Sequence, residues 1–234
     1  MNNDIAFIQQ FINEKAGTDI LIIDGVGGPR TREAFLNTFV CKDAVAITQQ
    51  ELNSVAKELG DTDTKRINAV AKTESNGSGW FNSGHPKILF ERHLFWKQTK
   101  NPKIIRSYSN PTAGGYSLDY NKNGIADSWE KLSYAVCDDP MAALMSISIG
   151  KFQVLGKYFY ECGYKHPIDM LYDASRSEYS QYMLLVNYIL KVANLKSAFL
   201  KISKNPDDCI AFATGYNGKG FRKFKKKKKI ASFM

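Results

Sequence analysis

The sequence predicts a mainly α-helical protein with at most a small irregular strand region. Three observations predict it. Apolar residues recur at three- and four-residue spacing in separate segments of the 234-residue chain. Helix punctuation brackets several of those segments: Gly17 after one, Pro29 at the head of another, and Asp139-Pro140 at the head of a third. The composition, 44% hydrophobic and 12% aromatic, is that of a globular chain long enough to bury a core.

Ile5, Ile8, Phe11 and Ile12 define the first helix, which should stop near Ala16-Gly17-Thr18. Asp24-Gly25 and Gly27-Gly28 then make a compact turn, and Pro29 suits a first helical turn, so Thr31 to Phe39 is expected as a second helix. Together these form a small helical module over 1–41, joined through Cys41 to Ala44 to a body over 45–234. In the body, a helix is expected from Val45 to about Leu59, then a polar break, then a helix on KRINAVAKTES after Thr64. Asn76-Gly77-Ser78-Gly79 ends that helix, and Trp80-Phe81 places an aromatic pair beside its end.

Lys87 to Trp96 reads as a strand turning into a helix, which periodicity does not resolve, and Asn101 to Tyr116 is turn-rich. Asp139 is a cap and Pro140 a first helical residue. The helix they open is expected to pack through Met141, Leu144, Met145, Phe152, Leu155 and Phe159, with Gly150 at a bend or close contact. Ser175 and Glu178 suit a capping box before Tyr182, Leu185, Ile189 and Val192. Asp207 opens a last short helix through Thr214, after which Gly215-Tyr216-Asn217-Gly218 returns to loop.

Charge and cysteine usage narrow the function classes. The formal net charge is +9, but Lys219, Arg222, Lys223 and Lys225 to Lys229 supply almost all of it. A nucleic-acid groove spreads its cations over one face, so specific nucleic-acid binding is disfavoured. The basic tail, beside Ile230 and Phe233, reads either as a solvated helix face or as a contact with an anionic envelope surface. Cys41, Cys137, Cys162 and Cys209 are scattered without a CxxC and read as reduced and mostly buried. The start MNNDIAF is not a signal peptide and no apolar run is long enough to span a bilayer. A soluble monomer is expected, released by another agent if it acts outside the cytoplasm.

Glu74 is the informative carboxylate. It lies four residues beyond Val70 and seven beyond Ile67, on their apolar stripe, at a glycine turn. A carboxyl at a half-buried cleft edge suits a general acid, because partial burial favours the protonated form and glycosidic cleavage requires protonation of the leaving oxygen. The other reading is a side chain fraying into water at a helix end. Glu91, in the aromatic run KILFERHLF, reads as a scaffold or substrate-positioning group paired with Arg92 or a distant cation, or as a second catalytic carboxylate. His93 stands in the same run. No HExxH or Cys/His set exists, which disfavours catalytic zinc.

Gln153 and Asn217 carry amides able to bond N-acetyl or hydroxyl groups, and Tyr216 can stack or donate a hydrogen bond; ordinary capping and packing account for the same residues. Asp119, Asn121, Asn123, Gly124, Asp127 and Glu130 match a calcium-loop spacing, with the Ile125 carbonyl at the backbone-ligand position. A structural calcium and a metal-free Asx-rich turn leading into a helix at Trp129 both fit those letters.

Taken together, AVAKTESNGSGWFNSGHPKILFERHLFWKQT, SISIGKFQVLG and FATGYNG resemble the N-acetylmuramidase domain of phage-type endolysins over about Gln49 to Phe224. The segment DGVGGPRTREA similarly resembles the core of a small peptidoglycan-binding module. The resemblance implies a lysozyme-like helical catalytic domain that hydrolyses the β-1,4 bond between N-acetylmuramic acid and N-acetylglucosamine in bacterial peptidoglycan. It places the catalytic glutamate at Glu74 and puts the SISIGKFQ and YNG motifs, with Gln153, Tyr216 and Asn217, in the cleft. No cofactor is expected for catalysis. It also implies an enzyme waiting in the host cytoplasm and reaching the periplasm or wall through a holin-type pore. Ile149 departs from the family, where a tryptophan is common. A transglycosylase forming anhydro-muropeptides and a non-catalytic wall-binding protein are the alternatives.

Overall fold

The computed structural model describes residues 2–75, 77–99, 108–217 and 226–234. Helix α1, Asn3–Ala16, opens where the Asn2 side chain accepts the Asp4 and Ile5 N–H groups and closes at Gly17, which takes the left-handed conformation. Helix α2, Pro29–Thr38, begins on Pro29. Between them the buried Gln9 amide donates to Asp24 Oδ1 at 2.8 Å and to the Val26 carbonyl at 3.2 Å, while its oxygen accepts the Gly25 N–H at 2.9 Å. Gly27 has to be glycine, since a Cβ there would lie 2.4 Å from the Cys137 Cβ.

That contact shows how the N-terminal segment sits. Helix α6, Asp127–Asp138, carries Trp129, fully buried, and Phe35 of α2 and Phe39 at its C-terminal cap pack on that ring at 6.3 and 5.4 Å. The first forty residues therefore share one continuous apolar core with the rest of the chain.

Helix α3 spans Gln49–Glu58 and starts later than the expected Val45. A capping box decides this: the Thr48 hydroxyl accepts the Glu51 N–H and Glu51 accepts the Thr48 N–H at 2.8 Å. Val45 instead bridges to Ser177 in extended conformation. Helix α4, Lys65–Glu74, buries Ile67, Ala69 and Val70 completely and ends at Glu74, with Ser75 extended.

Strand β1, Ile88–Phe90, runs into helix α5, Arg92–Gln98, as the strand-then-helix reading anticipated. Helix α7, Pro140–Met145, is capped by Asp139 but does not continue toward Phe159. Ile147–Ile149 forms strand β2 and Val154–Leu155 strand β3, giving an antiparallel sheet in the order β1-β2-β3 with Ile88 opposite Ile149 and Ile149 opposite Val154. The helical periodicity assumed across this stretch was wrong because two β-branched isoleucines and a left-handed Gly150 favour a hairpin. Ile149 fills the buried centre of that sheet.

Helix α8, Pro167–Arg176, had no counterpart in the sequence reading. Its C-terminus moves the next cap: Ser177, not Ser175, accepts from Ser180 at the start of helix α9, Glu178–Asn187, and the Ser175 hydroxyl bonds back to the Tyr172 carbonyl. α9 runs on into a π-helical turn, Tyr188–Val192. After helix α10, Lys196–Leu200, a 3-10 turn opened by Asn205 rather than Asp207 leads into helix α11, Ile210–Asn217. Tyr216 and Asn217 are thus helical, not loop. Helix α12, Lys226–Ser232, buries Ile230 and packs on α4 and the 3-10 turn; Lys229 Nζ donates to the Thr73 carbonyl at 3.2 Å. The basic residues of the tail at 219–225 lie outside the described residues. All four cysteines are free thiols, and burial pushes Cys137 up to about 11 and Cys162 up to about 12.

Candidate active site

A helix end, a hairpin tip and a second helix end converge on one cleft of about 330 Å³. Glu74 enters from the last residue of α4, because its phase follows the buried Ile67 and Val70 until the helix stops. Asn217 enters from the last residue of α11, and its Nδ2 donates to Glu74 Oε1 at 3.2 Å. Gln153 enters from the β2–β3 turn.

Gln153 holds a backbone φ of 53°, a left-handed conformation for a residue with a side chain, and its Nε2 donates to the Gly150 carbonyl at 2.8 Å. Such strain costs about 1 to 3 kcal/mol and persists where the surroundings impose it, commonly at working sites. The turn aims the exposed Gln153 side chain along the cleft that Glu74 lines.

The rest of the wall is aromatic. Tyr158 meets Tyr188 edge-on at 5.6 Å, Tyr188 meets Tyr216 edge-on at 5.5 Å, and Tyr216 stacks on Phe212 at 5.6 Å. The Tyr216 hydroxyl donates to the Phe152 carbonyl at 3.1 Å and so ties α11 to the hairpin. Burial first, then the Glu74 carboxylate and Tyr188, hold the Tyr216 phenol far above its ordinary range, so it stays a neutral donor. Among the described residues lining the cleft, Glu74 is the one carboxylate. A site of this make-up offers a proton at one point, an amide beside it and flat apolar surfaces for rings.

The structure brings Glu74, Gln153, Tyr216 and Asn217 together in one cleft, but not the aromatic pair expected beside the end of α4. Trp80 lines a neighbouring cavity, with its Nε1–H on the Ser175 carbonyl at 3.0 Å, and Phe81 packs on the core. Glu91 and His93 do not line the cleft. Glu91 Oε2 accepts the Tyr116 hydroxyl at 2.5 Å and lies 3.4 Å from His93 Nδ1. The expected Arg92 partner turns away, donating instead to the Thr112 carbonyl at 2.9 Å.

One residue was missed entirely. Gln181 of α9 is 1% exposed, accepts the Lys151 N–H at 2.6 Å and donates to the Ala174 carbonyl at 2.8 Å. Its amide lies against both Gly79, in the loop after α4, and Gly150, in the hairpin turn, where an added Cβ would come within 2.0 and 2.8 Å of it. It thereby registers the two walls that carry Glu74 and Gln153. No sequence motif marks it; only a buried amide between two glycines does.

The remaining histidines are structural. His85 packs tilted against Trp129 at 4.8 Å with Nε2 3.0 Å from the Leu36 carbonyl, and His166 caps α8 by accepting the Ile168 N–H. In the Asx-rich loop the Asp119 carboxylate accepts the Asn123 and Gly124 N–H groups, and Glu130 accepts the amides of Asn121 and Asn123. Asp127 takes the Ser117 hydroxyl and the Tyr120 N–H. Those acceptors are turned toward the loop's own donors.

Comparison with known proteins identifies a family and a similar fold. The family model described as N-acetylmuramidase matches residues 63–234. The fold is similar to the crystal structure of Burkholderia AP3 phage endolysin, with a TM-score of 0.68 at 24% identity, covering 98% of this chain and 94% of that one. No curated protein matches the sequence.

Proposed function

The chain belongs to the N-acetylmuramidase family and is a glycoside hydrolase acting on peptidoglycan, and from that premise we propose that it cleaves the β-1,4 bond on the muramic acid side with Glu74 as general acid. The observation that carries this reading is the Glu74 carboxyl, held by the Asn217 amide at 3.2 Å in a tyrosine-walled cleft. Glu74 gives its proton to the glycosidic oxygen as the C–O bond breaks, and the sugar carbon develops oxocarbenium character. Water adds to that carbon and loses a proton, which leaves a reducing end. Asn217 fixes the carboxyl against the leaving oxygen, and Gln153 and the tyrosines orient the N-acetyl and ring faces. The step needs no cofactor.

The likeness to a phage endolysin supports a role in lysing a bacterial host, reached from the cytoplasm by way of a pore made by another protein. Among the described residues no helix is long and apolar enough to cross a membrane. The segment 1–41 serves as a wall-holding element docked on the catalytic body, and the basic tail favours anionic envelopes.

Mass analysis of muropeptides released by the wild-type protein and by Glu74→Gln tests the reading. Reducing N-acetylmuramic acid ends from the wild type, and a rate lower by about a thousandfold or more in Glu74→Gln, are expected from loss of a general acid. Anhydro products would show a transglycosylase, and near-normal activity of Glu74→Gln would remove that residue from the chemistry.

A further inference from the structure

The Glu74 cleft, about 330 Å³, is near the lower end of ligand-site volumes, so a polymer passing through it continues onto adjoining surface. A second cavity of about 510 Å³ is lined in part by residues next in sequence to those of the cleft. Neighbouring residues of two elements divide between them: Glu74 faces the cleft and Ser75 the second cavity, Phe152 the cleft and Lys151 the second cavity. The end of α4 and the hairpin turn therefore stand between the two cavities and contribute a residue to each.

The chemistry of the second cavity differs from that of the cleft. Lys72, exposed on α4, has no ion-pair partner among the described residues, and its ammonium lies 5.8 Å from the Phe233 ring. Lys151 pairs with Glu178 Oε1 at 2.5 Å, while Glu178 Oε2 accepts the Ile47 N–H at 3.0 Å, so that carboxylate is committed to holding the hairpin and the linker before α3. One cation is left in surplus. Trp80, fixed through its Nε1–H, supplies an apolar face, and Asn68 and Ser78 supply neutral polar groups.

Resting on the muramidase reading, we propose that this second cavity binds the carboxylate-bearing peptide stem of a muramic acid unit next to the scissile bond, with Lys72 as its charge partner. The glycan itself is uncharged at its hydroxyls and N-acetyl groups, whereas the stems carry free carboxylates. A lysine without an ion-pair partner among the described residues, beside an aromatic face and two positions before the proton donor, matches that branch of the polymer.

The test compares kcat/KM on purified peptidoglycan, freed of accessory polymers, with kcat/KM on the same material after its stem carboxylates are converted to neutral amides. The wild type is expected to prefer the native form by roughly fivefold to tenfold, the worth of one partly solvated charge contact. Lys72→Met should lose that preference, Lys72→Arg should keep it, and Lys204→Met, which removes the same charge from an exposed site elsewhere, should keep it too. A wild type indifferent to amidation, or a Lys72→Met variant with the full preference, overturns the stem site. If neither polymer yields reducing ends with the wild type, the muramidase reading itself falls.

Discussion

Replacing Gln181 by leucine tests how the site is held together. The substitution roughly conserves volume but removes the acceptor for the Lys151 N–H at 2.6 Å and the donor to the Ala174 carbonyl at 2.8 Å. Leaving each of those two groups unpaired costs about 1 to 3 kcal/mol, so the loss in stability is expected at roughly 2 to 5 kcal/mol after partial relaxation. Function should suffer separately. Gly79 and Gly150 both rest on this amide, and a leucine without its hydrogen bonds lets the α4 loop and the hairpin shift against each other. A displacement near 1 Å between acid and positioning groups lowers turnover by about a hundredfold. Urea unfolding followed by circular dichroism gives the first quantity. Turnover measured well below the unfolding midpoint gives the second. Gln181→Leu within about 0.5 kcal/mol of the wild type and with wild-type turnover would refute the clamp.

Phe39→Ala should destabilise the protein by about 3 to 5 kcal/mol, since it empties a fully buried ring site against Trp129. Calorimetry should show one transition shifted downward; a separate early transition for the N-terminal helices would mean that they fold independently of the body. Stability should also fall on acidification. Burial holds the His166 imidazole below its ordinary 6.5, with Asp169 and Asp4 opposing, and burial likewise lowers His85. The unfolded chain then binds more protons than the folded one as pH falls below 6.5, so protonation favours unfolding there. His166→Asn keeps a capping side chain but removes one titrating group. Its thermal midpoint should decline less between neutral and mildly acid pH than that of the wild type, and an unchanged decline would remove His166 as a contributor.

Helix periodicity and punctuation made much of the architecture legible. Asn2 to Gly17, Pro29 and Asp139-Pro140 act through their own backbone geometry, so α1, α2 and the start of α7 could be read locally. The same local logic put Glu74 on the stripe of Ile67 and Val70, and the resemblance to muramidases pointed to Gln153, Tyr216 and Asn217 as cleft residues, which the structure brings to one cavity with it. Local reading failed where an apolar run had two periods available. The apolar spacing from Met141 to Phe159 fits one helix, but Gly150 and the pairing of Ile149 between Ile88 and Val154 turn the stretch after Met145 into a hairpin. α8 escaped notice, and with it the true cap at Ser177.

By itself the sequence determined a mainly helical chain with Glu74 at a helix end, because helix phase and capping depend on residues within a turn or two of one another. Only the tertiary structure decided which groups surround that carboxylate. Glu91, close in sequence and similar in chemistry, is drawn to Tyr116 and His93. Asn217, 143 positions away, reaches Glu74. Gln181 becomes a clamp solely because three distant segments bury it between two glycines. Long-range packing fixes such partners, and no pattern of neighbouring residues carries that information.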